Sequence, residues 1–178
     1  MVKFNELLGN RSIVRIIILL IDSYGEELSQ VRIKKATGFS NATLAKWVKK
    51  LKDFDIITVR REGVTNYCKL NDNAVVKELK ILNTLLKLEK MENIKKKYNA
   101  RIYLYGSAAR GEDTEGSDID ILMVGKARKD SIIREINTLS GQIGKKISIQ
   151  IFSPQEWAMM DKKDKAFFER IEKDKIEL

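Results

Sequence analysis

The side chains able to do chemistry concentrate in one stretch, Tyr105-Gly106-Ser107-Ala108-Ala109-Arg110-Gly111, followed by Ser117-Asp118-Ile119-Asp120. Ten residues separate Ser107 from Asp118. Gly106 lets a backbone approach a phosphate with no Cβ in the way. Ser107 offers a hydroxyl and a backbone N–H where a strand gives way to a helix, an arrangement suited to anions. Asp118 and Asp120, at i and i+2 of a strand, point to the same face. Two carboxylates held together repel each other unless a cation sits between them. Mg²⁺ takes one or two protein carboxylates and completes its shell with substrate phosphate oxygens. Arg110 is a further candidate for the phosphates, and Ser117 flanks the strand. The alternative for both is a solvated loop residue.

The rest of the inventory narrows the chemistry. Among 178 residues there is no His and a single Cys, Cys68. That excludes Ser-His-Asp, Cys-His and His-ligated metal chemistry, disulfide frameworks and CxxC pairs. Chemistry must run on carboxylates, hydroxyls, Lys/Arg and backbone. A lone thiol and the absence of a signal-peptide pattern in the first residues predict a cytoplasmic protein. The longest apolar run, residues 16–21, is far short of the roughly 20 residues a membrane span needs, so no membrane association is expected. With 43% apolar and 33% charged residues, the chain can bury a core. Its net charge is +9. Residues 1–92 carry 17 basic and 11 acidic side chains, and residues 93–178 carry 17 and 14, so the first half is the more basic.

The elements that must position the motif alternate. Residues 101–105 and 117–124 read as strands, 130–143 as a helix with Asp130 as a candidate N-cap, and 146–152 as a third strand. Ser153-Pro154-Gln155-Glu156 carries a capping-box pattern, and a last helix fits 163–173. Ile119, Ile121 and Met123 alternate away from the two Asp, so one side of that strand is expected to hold a metal and the other the core.

The first half has a different grammar. Apolar spacing predicts helices over 11–23, 29–37 and, after Gly38, a third capped by Ser40 or Asn41. The third carries Leu44, Trp47, Val48 and Leu51 on one face and Lys46, Lys49, Lys50 and Lys52 on the other. Residues 56–70 read as a hairpin turning at Gly63. Trp47 and Trp157 are expected in the core. A long helix over 72–97 places Val75, Leu79, Leu82 and Leu86 in one stripe. This is read as packing on its own chain, with a homodimer seam as the alternative. Residues 93–99 are the expected domain boundary.

Two resemblances follow from these residues. The order of helix, helix, glycine turn, helix and hairpin resembles a winged helix-turn-helix over about residues 5–70. Gly106-Ser107, the ten-residue spacer and Asp118-Ile119-Asp120 resemble the DNA polymerase β-type nucleotidyltransferase superfamily, most of all its minimal branch, over about residues 100–155. Together they imply an α/β (α+β) chain. A winged helix-turn-helix domain would occupy 1–72, a connecting helix 73–98, and a small mixed-sheet nucleotidyltransferase-like domain 99–178. The second resemblance implies that Gly106 and Ser107, with Arg110 and Ser117, serve the phosphates of a nucleoside triphosphate such as ATP. It also implies that Asp118 and Asp120 are catalytic, binding Mg²⁺ (or Mn²⁺) while a nucleoside monophosphate moves to an acceptor hydroxyl. The first implies double-stranded DNA as a partner. Asn41 and Thr43 are then candidate base readers, and Lys46, Lys49, Lys50, Arg60 and Arg61 phosphate contacts. A solvated basic face is the alternative.

The sequence departs from the family in one respect. A third carboxylate is expected on a later strand, and residues 146–152 contain none; Ser148 and Gln150 stand at the outward positions. Glu156 reads as a cap, and Glu112, Asp113 and Glu115 as solvated loop acids. Turnover is therefore open. The alternative is a transcription regulator whose transferase domain binds nucleotide or mediates dimerisation. The minimal branch also includes antitoxins that modify a small helical toxin. Without a His this chain lacks the toxin-type Arg…His motif, so a toxin-like partner would be another protein.

Overall fold

Asn10 starts a helix, α1 (Arg11–Asp22), by accepting hydrogen bonds from the N–H groups of Ser12 and Ile13. The structure is a computed structural model, and it describes residues 7–126 and 128–178. The first residues of the expected winged-helix span thus lie outside the described residues. The chain forms two units that part between Lys77 and Glu78.

In the first unit, α1 buries Ile13, Ile16, Ile17 and Leu20 at helical spacing. A short strand, β1 (Leu28–Ser29), leads into α2 (Gln30–Thr37), which is capped by Ser29 and ends at Gly38 with φ +72°. Ser40 caps α3 (Asn41–Asp53), which buries Leu44, Val48 and Leu51. Trp47, expected in the core, is only half-buried, with the Lys46 ammonium 4.7 Å from its ring centroid. The hairpin β2 (Ile57–Glu62) and β3 (Thr65–Leu70) closes through Gly63 and Val64, with Glu62 opposite Thr65. β1 adds to β3, giving an antiparallel sheet of order β1-β3-β2. Cys68 is fully buried there, and burial pushes its thiol up to about 11.

The single helix expected over 72–97 is two, α4 (Ala74–Lys87) and α5 (Met91–Tyr98). A turn at 88–90 parts them and brings Leu88, Met91 and Ile94 into one buried cluster. The expected boundary, 93–99, falls mostly inside α5, which Asn99 ends with φ +46°. The expected apolar stripe is also not the buried one. Val75, Leu82 and Leu86 are exposed, whereas Val76, Lys80, Thr84 and Leu88 are buried. A polar side chain at 80 overrides the apolar pattern because it meets a buried carboxylate, described below.

The second unit is built on a four-stranded sheet of order β6-β5-β4-β7, from β4 (Arg101–Tyr105), β5 (Ile119–Val124), β6 (Ile147–Phe152) and β7 (Ile176–Glu177). Between β4 and β5 lies a four-residue turn of helix, α6 (Gly106–Ala109). α7 (Lys129–Ile143) crosses from β5 to β6, which are parallel; the other pairings are antiparallel. Arg128, rather than Asp130, is its N-cap residue. Then come α8 (Pro154–Ala158) with the expected Ser153/Glu156 capping box, α9 (Met160–Lys163) and α10 (Lys165–Asp174), which Asp164 caps.

Both faces of the sheet are covered, against the expectation of a metal face and a core face. Ile119, Ile121 and Met123 pack with Ile132, Ile136 and Leu139 of α7. On the face of Asp120, Leu122 and Val124 pack with Tyr103, Tyr105, Trp157, Met160 and Ile171. The C-terminal helices thus cover one end of that face and leave the Asp120 end to the candidate site. Among the described residues no helix is long and apolar enough to cross a membrane.

Candidate active site

β4 ends at Tyr105, and the chain turns sharply at Gly106, where φ is +75°. A Cβ there would lie 2.6 Å from Asp120 Oδ2. Gly106 is therefore required twice, by its backbone conformation and because the Asp120 carboxylate occupies the space beside it. Ser107 follows, half-buried, and its carbonyl accepts from the N–H groups of Glu112 and Arg110. α6 is a single turn, so it offers N–H groups with little of a longer helix's dipole.

Antiparallel pairing sets Tyr105 opposite Asp120, and parallel pairing sets Asp120 beside Ser148. Tyr105, Asp120 and Ser148 thus form one row across the sheet. Asp120 is half-buried. Burial, reinforced by the neighbouring Asp118 charge, raises its pKa, while Arg170 and Lys146 oppose the rise. The Tyr105 phenol is also raised, by burial and then by Asp120, with Arg170 again opposing. Asp118 precedes β5 rather than lying in it, and its Oδ2 accepts from Lys146 Nζ at 2.5 Å.

The other sequence-predicted residues are engaged elsewhere. Arg110 donates to Glu112 Oε2 at 2.8 Å and to Asp174 Oδ2 at 2.7 Å, tying α6 to the end of α10, and both bonds raise its pKa. Ser117 Oγ accepts from the Thr114 N–H at 2.9 Å and closes the loop before Asp118. Glu156 is held by the Ser153 backbone, which lowers its pKa.

Asp113 is not the solvated loop acid expected from the sequence. It is 7% exposed. Its Oδ2 accepts from Lys145 Nζ at 2.5 Å, and Lys80 Nζ lies 3.5 Å from its Oδ1. Lys80, itself 1% exposed, donates to the Asp113 carbonyl at 2.6 Å, and Lys145 reaches the Thr114 carbonyl at 3.2 Å. Two lysines remote in sequence therefore pin the loop that carries Asp118. Neither Lys80, Lys145, Lys146 nor Arg170 was singled out from the sequence. Lys145 and Lys146 adjoin a readable strand, but which acids they meet depends on the register of β6 against β5.

Asp118 and Asp120 suit a divalent cation. Burial and then the Asp118 charge raise the Asp120 pKa, and Lys146 already pairs with Asp118. Among the described residues no three Asp, Glu, Cys or His groups cluster to hold a metal, so such an ion would complete its shell from substrate oxygens.

In the first unit, Asn41, Lys46 and Lys49 of α3 are exposed, and Lys50 Nζ lies 5.4 Å from the Phe54 ring centroid. Thr43 Oγ1 and Ser40 Oγ are 2.9 Å apart. Arg60 is bound to Glu27 at 2.7 Å and to Glu62 at 2.8 Å, which raises its pKa, and Arg61 donates to the Gly63 carbonyl. The structure thus presents Asn41, Lys46 and Lys49 outward, leaves Thr43 and Lys50 half-buried, and pairs Arg60 with two acids that sequence reasoning did not connect to it.

A family model for the nucleotidyltransferase domain matches residues 87–176. A solved structure of a candidate nucleotidyltransferase from Sulfolobus solfataricus is 22% identical, covering 60% of this chain and 88% of that one with a TM-score of 0.36. No curated protein sequence matches the chain. With the family match spanning β4 through α10 and enclosing Gly106, Ser107, Asp118 and Asp120, the chain belongs to the nucleotidyltransferase domain family.

Proposed function

We propose that the second unit transfers a nucleoside monophosphate from a nucleoside triphosphate to an acceptor hydroxyl. The observation that carries this reading is the fit of Gly106 against the Asp120 carboxylate, with Asp118 alongside. In the reaction the hydroxyl oxygen bonds to the α-phosphorus, the bond to the β-phosphate bridging oxygen breaks, pyrophosphate leaves and the hydroxyl proton passes to solvent. Asp118 and Asp120 would hold Mg²⁺ or Mn²⁺, which when bound supplies positive charge to the leaving phosphates and lowers the pKa of a bound hydroxyl. Gly106 keeps the Asp120 carboxylate close to the backbone turn, and Ser107 presents its hydroxyl and N–H to the distal phosphates. The Lys80–Asp113–Lys145 cluster anchors the loop leading to Asp118.

Incubating the protein with Mn²⁺, each α-labelled nucleoside triphosphate and a lysate as acceptor tests the reading. Label transferred by wild type and absent with Asp118→Asn is expected. Equal transfer by both proteins would refute it.

A second reading, a nucleotide-binding regulator without turnover, is favoured by Ser148 beside Asp120, where an acid would complete a three-carboxylate site. We propose double-stranded DNA as the partner of the first unit, supported by the exposed Asn41, Lys46 and Lys49 of α3. Lys46→Glu with Lys49→Glu is expected to abolish a gel shift.

A further inference from the structure

A polyphosphate bound near Asp118 and Asp120 is repelled by their two carboxylates, and that repulsion must be offset. The residue assigned to this task from the sequence, Arg110, already holds Glu112 and Asp174. Two other cations border the pair. Lys146 sits on Asp118, and its side chain is 75% exposed, so it can swing to a new partner. Arg170 lies on α10, one turn before Asp174, so the two share a face of that helix. The Arg110–Asp174 bond and the burial of Ile171 against Tyr105 fix that part of α10 beside α6. Arg170 is exposed, its guanidinium lies 5.4 Å from the Phe167 ring centroid, and it forms no ion pair among the described residues. Its charge is felt at both Asp120 and Tyr105.

We propose that Lys146 and Arg170 are the triphosphate-binding cations of this site, bordering the Asp118–Asp120 pair from the residue before β6 and from α10, with Arg110 serving to fasten α10. The proposal rests on the transferase reading. A divalent ion and the Lys146 ammonium compete for the same oxygen of Asp118, so the ion's arrival frees the lysine for the β- and γ-phosphate oxygens. Arg170, a planar fork with no ion pair among the described residues, offers its donors to the same oxygens from α10.

The test is calorimetric titration of the full chain with inorganic tripolyphosphate and with ATP in the presence of Mg²⁺. Wild type is compared with Lys146→Gln, Arg170→Gln, Asp120→Asn and Arg101→Gln. Arg101 is an exposed residue at the opposite end of β4 from the site and controls for the loss of one positive charge. Both substituted cations are exposed, and thermal melts verify that each variant is folded. The expected result is binding of both probes weakened by roughly tenfold or more in Lys146→Gln and in Arg170→Gln, with Arg101→Gln equal to wild type. Lys146→Gln should also bind Mn²⁺ more tightly, because a competitor for Asp118 is gone. If wild type binds ATP, Asp120→Asn loses it, and Lys146→Gln and Arg170→Gln keep it, the cation assignment falls and the transferase reading stands. An equal loss in Arg101→Gln would also overturn the assignment. If wild type binds neither probe, both fall.

Discussion

Asp113 lies in the loop before β5 and Asp120 in β5 itself, yet the protein treats them in opposite ways. Asp113 is buried between Lys80 and Lys145, with those lysines also satisfying the carbonyls around it. Asp120 is half-buried next to another carboxylate, and Gly106 occupies the position where a side chain would have separated it from the turn. A buried acid with cations close to it holds a loop in place. A partly buried acid beside a like charge is instead a place that a bound cation would stabilise.

The comparison breaks if the two acids respond alike to neutralisation. The largest effect expected is on catalysis: Asp118→Asn or Asp120→Asn should lower transfer by at least about a thousandfold while leaving the fold intact. The raised pKa of Asp120 gives the sign of the stability change. Its charged form is disfavoured in the fold, so it costs stability above its ordinary value of 3.8. With a chelator present, Asp120→Asn should melt no lower than wild type at pH 7, and its advantage should vanish as the pH falls below that value.

Lys80→Met comes next. It should cost about 3 kcal/mol in denaturant unfolding, because it leaves the buried Asp113 with one partner fewer. Replacing Lys80 and Asp113 together by apolar residues should recover much of that loss.

How far these two acids could be read from the sequence differs for a physical reason. Asp120 is legible as a strand residue because its alternation with Ile119 and Ile121 is local and a glycine-serine turn stands at a fixed distance, whereas Asp118 lies just before β5. The capping box at Ser153 and the strands around the motif are local too, and they match their sequence patterns apart from where β5 and β6 begin. Asp113 was not legible, because its partners come from α4 and from the residue before Lys146, and nothing local announces either. The same holds for α4. Its apolar residues Val75, Leu82 and Leu86 suggested a buried stripe, but the buried position is Lys80, decided by a carboxylate far along the chain. Arg60, a candidate phosphate contact by sequence, likewise has a partner far along the chain, Glu27.

Gly106→Ala sharpens the link between backbone and carboxylate. Strain at positive φ and the contact with Asp120 Oδ2 should together cost about 2 kcal/mol and displace the carboxylate, so activity should fall with stability. Gly38→Ala, at a similar φ with nothing within 4 Å of the added Cβ, should cost only about 1 kcal/mol. One expected effect is a gain. Ser148→Asp, in register beside Asp120, should tighten Mn²⁺ binding by roughly tenfold, measured by electron paramagnetic resonance of free Mn²⁺.

The most direct test of the central claim, that Asp118 and Asp120 form the cation site, is the same Mn²⁺ titration in the presence of ATP. It would use wild type, Asp118→Asn, Asp120→Asn and, as a control, Glu115→Gln in the exposed part of the loop. Saturable binding in wild type and Glu115→Gln, lost in both aspartate variants, is the predicted result. Undiminished binding in Asp120→Asn would contradict the claim.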